Sequence, residues 1–83
     1  MNEPYIGQIQ LVPYQRYAPQ DWMWCEGQML NVAQHQALFS LIGNTFGGDG
    51  RLTFGLPNLK GKEPVPGVRY CISLAGSYPM PPD

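Results

Sequence analysis

The stretch WMWCEGQML, residues 22–30, gathers the side chains of this sequence that are best suited to chemistry. It holds both tryptophans and one of the two cysteines, Cys25, and the only histidine, His35, follows it. A thiol beside an imidazole is the arrangement of a nucleophilic cysteine. Cys25, however, follows Trp24 in an apolar segment, and apolar surroundings raise the pKa of a thiol instead of activating it. We therefore expect no catalytic residues and predict that the protein is not an enzyme.

A second candidate for chemistry is the glycine-rich stretch GNTFGGDGR, residues 43–51. A Walker-type phosphate loop needs a Lys followed by Ser or Thr after its last glycine. No Lys is present here, and the glycines follow a predicted helix instead of opening one. The residues Gly47, Gly48, Asp49 and Gly50 therefore predict a shaped turn. His35 cannot form a metal site alone unless a symmetry axis brings several copies together, and we expect no metal or other cofactor.

Aromatic side chains offer the remaining candidate site, a platform for sugars, because flat rings can stack on the apolar faces of sugars. The candidates for ligand or receptor contact are Trp22, Tyr14, Tyr17 and Tyr78. Strand alternation would place Trp22 and Trp24 on one side, with Met23 and Cys25 on the other. In the alternative interpretation, which we favour, one side packs on the helix and both tryptophans lie largely in the core.

Length and composition bound the class of protein. The chain has 83 residues, which predicts one domain. Its Pro-rich end at residues 76–83 is expected to form a tail that is extended or disordered. Net charge is -1 and only 13% of residues are charged, against about 25% in average proteins. Because nucleic-acid binding needs clustered basic side chains, this composition argues against it. Low charge in so small a domain also favours self-association.

Targeting and redox signals are sparse. No apolar run is long enough to span a membrane, and the first residues lack the pattern of a secretory signal. Two cysteines are too few for a disulfide framework, so Cys25 and Cys71 are expected to be buried free thiols, although they could pair if their strands are neighbours.

Periodicity predicts one small antiparallel sheet. Alternating aliphatic residues indicate a strand at 6–12, of the edge or half-buried type, which Pro13 ends. Residues 22–30 are expected to form two short strands around a tight turn at Glu26 and Gly27. A further strand is expected at 68–75, and residues 44–59 should be irregular but packed.

One helix is expected at residues 32–42. Asn31 and Gln34 resemble a capping box at its start, and Gly43 is suited to end it. The predicted apolar face consists of Ala33, Ala37, Leu38, Leu41 and Ile42. The fold class is therefore α+β, a small antiparallel sheet with one amphipathic helix and long structured loops.

Five sequence blocks together resemble the phage tail collar domain family. They are G-x-I at residues 7–9, A-P-x-x-W-x-x-C-x-G-Q at 18–28, A-L-F-x-L-I-G at 37–43, T-F-G-G-D-G at 45–50 and T-F-x-L-P-N-L-K-G-K at 53–62. The strand at 70–79 also looks like the closing strand of longer members. The residues that carry the signature are Trp22, Cys25, Gly27, Gln28, Gly47, Gly48, Asp49, Gly50 and Pro57.

The resemblance implies a structural role. Collar domains belong to trimeric tail fibres and work in adhesion, so it implies a component of a phage tail or tail-like particle that is assembled in the bacterial cytoplasm. The expected partners are other copies of the chain, with a trimer favoured, and other tail or fibre proteins. Apolar faces of the first strand or of residues 44–59 are candidates for contacts between copies. No His-x-His pair exists here, so the axial metal of some fibres is not expected.

The chain departs from longer members between Lys62 and Tyr70. Those members carry a sizeable variable region there, the natural place for receptor contacts, whereas here only residues 63–69 bridge the gap. The sequence therefore looks like a minimal collar domain without the variable head. The alternative function is a free-standing adhesion module of a bacterium that binds a cell-surface glycan or another receptor.

Overall fold

The computed structural model describes residues 4–13 and 17–78. Its strands are β1 (Ile9–Pro13), β2 (Trp22–Trp24), β3 (Met29–Asn31), β4 (Thr53–Gly55) and β5 (Val68–Ser73). A 3₁₀ turn (Val32–Gln34) precedes the α-helix α1 (Gln36–Ile42). This is the predicted α+β class of fold with antiparallel strand pairs.

The strand β5 is the centre of a three-stranded sheet with the order β1-β5-β2. Its β-branched and aromatic residues favour an extended conformation, as the sequence predicted. Both neighbours are antiparallel, with Ile9 opposite Ile72 and Met23 also opposite Ile72. Because β5 is paired on both sides, its last three residues, 71–73, are fully buried.

The prediction of a single sheet was wrong. β3 pairs not with the strand before it but with β4, so Leu30 lies opposite Phe54 in a separate two-stranded sheet. Residues 44–59 therefore contain a strand where irregular chain was expected. The chain changes direction between β2 and β3, where Gly27 has φ +80° and Glu26 forms an isolated bridge with Asn58.

The predicted helix was too long. His35, with φ -138° and ψ 47°, separates the 3₁₀ turn from α1, and Asn31 makes no side-chain cap. Gly43 does end the helix, with φ +57° and its N–H donating to the Phe39 carbonyl at 2.7 Å.

The packing face of α1 also differs from the predicted one. Leu38 is buried, and Phe39 and Ile42 are partly buried against the core. Ala33 and Ala37 are exposed, and Leu41 lies at the border with 36% of its surface exposed. Starting the helix at Gln36 leaves Ala33 in the 3₁₀ turn, outside the face that meets the sheet.

One core joins both sheets to the helix. It consists of Cys25, Leu38, Phe54, Leu56 and Ile72. The rings of Phe39 and Phe54 meet at its side with centroids 5.3 Å apart. Met23 packs against this core, whereas both tryptophans are half-buried and lie outside it. The expectation that the tryptophans are core residues was thus wrong, because the register of β2 on β5 turns Met23, not Trp22 or Trp24, to the same face as Ile72.

The two ends of the described chain lie side by side. β1 begins at Ile9, later than predicted, and residues 6 and 7 form a turn. Tyr5 forms a parallel bridge with Ser77, whose N–H donates to the Pro4 carbonyl at 2.9 Å. The predicted tail is therefore fastened to the fold at residues 76–78, and residues 79–83 lie outside the described residues. No helix in the described ranges has the length and apolarity needed to cross a membrane.

Candidate functional site

The turn of the glycine cluster is organised by one carboxylate. Oδ1 of Asp49 accepts hydrogen bonds from the backbone N–H groups of Arg51, Leu52 and Thr53 at 2.8, 2.9 and 3.1 Å. The bond from Arg51, followed by those from Thr53 and Leu52, lowers the pKa of Asp49 to about 2. Asp49 therefore stays ionised and holds the chain as it enters β4, as the predicted turn requires.

Gly48 of the same turn lies directly against β4. A Cβ at this position would lie 2.4 Å from Cα of Phe54, which is closer than any packed structure allows, and φ is +88°. The adjacent carbonyl of Gly47 accepts the N–H of Gly55 at 2.9 Å. These glycines allow the backbone of the turn to pack directly against β4 in the two-stranded sheet.

The C-x-G-Q block connects β2 to the segment after β4. Oε1 of Gln28 accepts the N–H of Glu26 at 3.1 Å, and the N–H of Gly27 donates to the carbonyl of Pro57 at 3.3 Å. The carbonyl of Cys25 accepts the N–H of Leu59 at 2.9 Å. The signature residues of both blocks thus hold segments of chain together.

Both cysteines are free and buried, as predicted. Burial, and next the charge of Cys71, raise the pKa of Cys25 to about 11. Burial also raises the pKa of Cys71. A thiol that stays protonated at neutral pH is a poor nucleophile, so these side chains act as packing groups. Within residues 4–13 and 17–78, no three potential metal ligands come together.

A charged cavity of about 290 Å³ lies beside Arg69, and the sequence did not predict it. Arg69 forms an ion pair with Glu26, and its guanidinium carbon lies 4.2 Å from the ring centroid of Trp24. Lys60 and Glu63 also line the cavity. Arg69 and Glu26 are 43 positions apart in the sequence. Because only the pairing of β2 with β5 brings them together, no local sequence pattern predicts this site.

Three of the four candidate aromatic residues lie within the described residues, and these three do not form one platform. Trp22 lines a second cleft, of about 190 Å³, together with Gln20, Asp21 and Ala75. Tyr78 instead lies against α1, where its hydroxyl is 2.7 Å from Oγ of Ser40. Tyr17 is 72% exposed and does not line the cleft, and Tyr14 lies outside the described residues.

The family model described as "Phage Tail Collar Domain" matches residues 7–64, which is most of the chain. No curated protein and no solved structure matches it. The matched range, residues 7–64, contains both the Asp49 turn and the C-x-G-Q connection.

Proposed function

Because the chain belongs to the phage tail collar domain family, we propose that it is a structural component of a phage tail or tail-like particle that acts in fibre assembly or host attachment. The observation that carries this proposal is the family match over residues 7–64. On this proposal residues 1–83 form one minimal collar-like domain that is assembled in the bacterial cytoplasm. It has structural partners, other copies and tail proteins, and no catalytic role.

The roles of the signature residues support a structural function. Asp49 uses its carboxylate to order three backbone N–H groups, and Gln28 uses its amide oxygen to order another. Cys25 is buried with a raised pKa. These side chains stabilise the backbone of the domain and are not available to bind a substrate. A stable backbone is what a connecting domain of a fibre requires.

Exposed apolar side chains support self-association. Met29, Phe46 and Leu52, around the second sheet, are 56%, 48% and 72% exposed. Met29 lies on β3, and Phe46 and Leu52 lie in the 44–59 segment, which together with the first strand was a candidate for contacts between copies. Large exposed apolar groups on so small a domain are typical of surfaces that become covered in an assembly. The resemblance to fibre proteins favours a trimer.

Particle purification tests the proposed function. An epitope-tagged copy of the chain would be expressed in the bacterium that encodes it, and phage or tail-like particles would be separated on a density gradient after induction. We expect the tag to sediment with the particles and to be visible on their tails by immunogold microscopy. If the tag remained entirely with free protein while particles formed normally, the proposal would be wrong.

The cleft beside Trp22 favours glycan binding as a second candidate function. An indole next to the carboxylate of Asp21 and the amide of Gln20 combines an apolar surface with hydrogen-bonding groups, the usual composition of a small ligand site. The cleft of about 190 Å³ is smaller than most ligand pockets, roughly 300–1,000 Å³, and would hold only a terminal sugar. Glycan-array binding should disappear in Trp22→Ala and persist in Tyr17→Ala. An array on which the native protein binds nothing would contradict this candidate.

A further inference from the structure

The three-stranded sheet has two edges, β1 and β2, and they differ in what occupies them. Part of the edge of β2 is occupied by its own chain. The N–H of Trp22 donates to the carbonyl of Pro19 at 3.0 Å, and the carbonyl of Trp24 accepts the N–H of Glu26 at 3.1 Å. A local cover of this kind is one way in which proteins close an edge against further strands.

The edge of β1 is open among the described residues. The carbonyl of Gln8 accepts the N–H of Ser73 at 2.9 Å, so Gln8 faces β5. In an antiparallel ladder the direction alternates, which turns the backbone groups of Gln10 and Val12 towards β5 and those of Ile9 and Leu11 away from it. No backbone group of the described residues outside the ladder bonds to Ile9 or Leu11.

The side chains of β1 do not protect this edge. The strand IQLVP contains no charged residue, and Ile9 and Leu11 are 44% and 37% exposed. They lie opposite Ile72 and Tyr70, so their side chains are on the face of the sheet that packs on the core. At the β1 edge the other elements cover this face only partly. An uncharged edge strand with exposed apolar side chains is a template for another strand.

We propose that β1 pairs with β1 of a second copy, antiparallel about a two-fold axis at Gln10. In this register Ile9 of each copy lies opposite Leu11 of the other, and their outward N–H and C=O groups exchange four hydrogen bonds. The pairing joins the two sheets into one six-stranded sheet. The four side chains of Ile9 and Leu11 then lie together on its core-facing side.

The register follows from the groups that the edge offers. A two-fold axis at Leu11 would place Ile9 opposite Pro13, which has no N–H to donate. An axis at Ile9 would place Leu11 opposite Gly7, whose N–H already donates to the carbonyl of Ser73 at 2.9 Å. Only the axis at Gln10 pairs all the outward groups of Ile9 and Leu11, and this self-complementarity identifies the partner strand as a second copy of β1.

The contact goes beyond the proposed tail function and does not depend on it. A two-fold contact joins copies in pairs, so it predicts dimers, or hexamers where trimers form through another surface. Pairing through one short strand buries less than the roughly 1,200 Å² of a standard interface, so association should be weak and dependent on concentration.

Hydrogen exchange on the native protein tests the backbone pairing. In dilute solution the amides of Gln10 and Val12 should exchange slowly, because they bond to β5, and those of Ile9 and Leu11 should exchange fast. At concentrations where sedimentation shows pairs of copies, the Ile9 and Leu11 amides should slow at least tenfold. Fast exchange of both amides in the associated protein would overturn the proposal, as would a chain that stays monomeric at millimolar concentration.

A charge at the edge tests the side-chain contact. Leu11→Lys should raise the dissociation constant between copies at least tenfold, because it brings two buried ammonium groups into the four-residue cluster. Val65→Lys, at a 53% exposed position in the loop before β5, is the matched control and should leave that constant within twofold. Equal association of Leu11→Lys and the native chain would overturn the proposal, and particle purification would still test the tail function separately. The exchange measurement decides the proposal if Leu11→Lys fails to fold.

Discussion

At the scale of single residues, some glycines of the chain occupy positions where a side chain has no space, and others occupy positions that require only a positive φ. Gly48 and Gly67 have nearly the same φ, +88° and +86°, but a Cβ at Gly48 would lie 2.4 Å from Cα of Phe54 whereas a Cβ at Gly67 would meet nothing within 4 Å. This pair therefore separates the steric demand of a close backbone contact from the cost of a left-handed conformation.

Gly48→Ala should destabilise the fold far more than Gly67→Ala. The second change adds only the strain of a positive φ, about 1 kcal/mol. The first also forces the turn away from β4, and we expect a loss of about 3–4 kcal/mol in the free energy of unfolding. Urea unfolding of the two variants measures the difference. Equal losses would show that the turn can move away from β4 without cost.

The carboxylate of Asp49 should make stability depend on pH in a defined window. Folding lowers its pKa from 3.8 to about 2, so ionised Asp49 stabilises the fold above pH 4, and this contribution is lost as the pH falls to about 2. Asn at this position cannot titrate and accepts weaker hydrogen bonds. The Tm of the native protein should exceed that of Asp49→Asn at pH 5, and the difference should shrink towards pH 2. A difference that stays constant from pH 5 to pH 2 would contradict this role.

At the scale of elements, the sequence predicts what is periodic and misses what depends on distant pairing. The alternation of Val68, Tyr70 and Ile72 identified β5, and Gly43 marked the end of the helix. The start of the helix was missed because Asn31 and Gln34 have the composition of a cap, while the backbone at His35 leaves the helical region. β4 has only three residues, too few to show a period.

The site was predictable to the same extent. The Asp49 turn and the buried thiols could be inferred from residue types alone, because glycine conformation and apolar burial are local properties. The cavity at Arg69 could not, because it depends on the register of β2 on β5. For the same reason the tryptophans were placed in the core, although Trp24 lies against Arg69 on the other side of the sheet.

The helix α1 should stabilise the domain mainly through one side chain. Leu38 is 1% exposed in the core whereas Leu41, on the same helix, is 36% exposed. Leu38→Ala should cost about 2–5 kcal/mol through lost burial and a cavity. Leu41→Ala removes the same atoms from a more exposed place and should cost about 1 kcal/mol or less. Thermal unfolding of both variants provides the measurement, and equal Tm values would mean that α1 packs differently.

At the scale of the whole molecule, both sheets and the helix share one core. Ile72 comes from the three-stranded sheet, Phe54 from the two-stranded sheet and Leu38 from α1. The backbone also joins the parts, since the N–H of Leu56 donates to the carbonyl of Gln28 at 2.9 Å. Few backbone hydrogen bonds join the segment just before β5 to the remainder of the fold. Residues 64–67 of this segment are all exposed.

This segment should accept an inserted sequence. Ten residues of Gly and Ser placed between Val65 and Pro66 lengthen an exposed loop and disturb neither the Glu63 contact with the N–H of Gly61 nor the start of β5. Loop-closure entropy predicts a cost of only about 1 kcal/mol. The same insertion between Gly50 and Arg51 should prevent folding, because it separates Asp49 from the three N–H groups that it holds. Circular dichroism and urea unfolding distinguish the outcomes. If the first insertion also unfolded the chain, residues 63–67 would be required for folding, and this loop would not be the place where the domain accepts additional sequence.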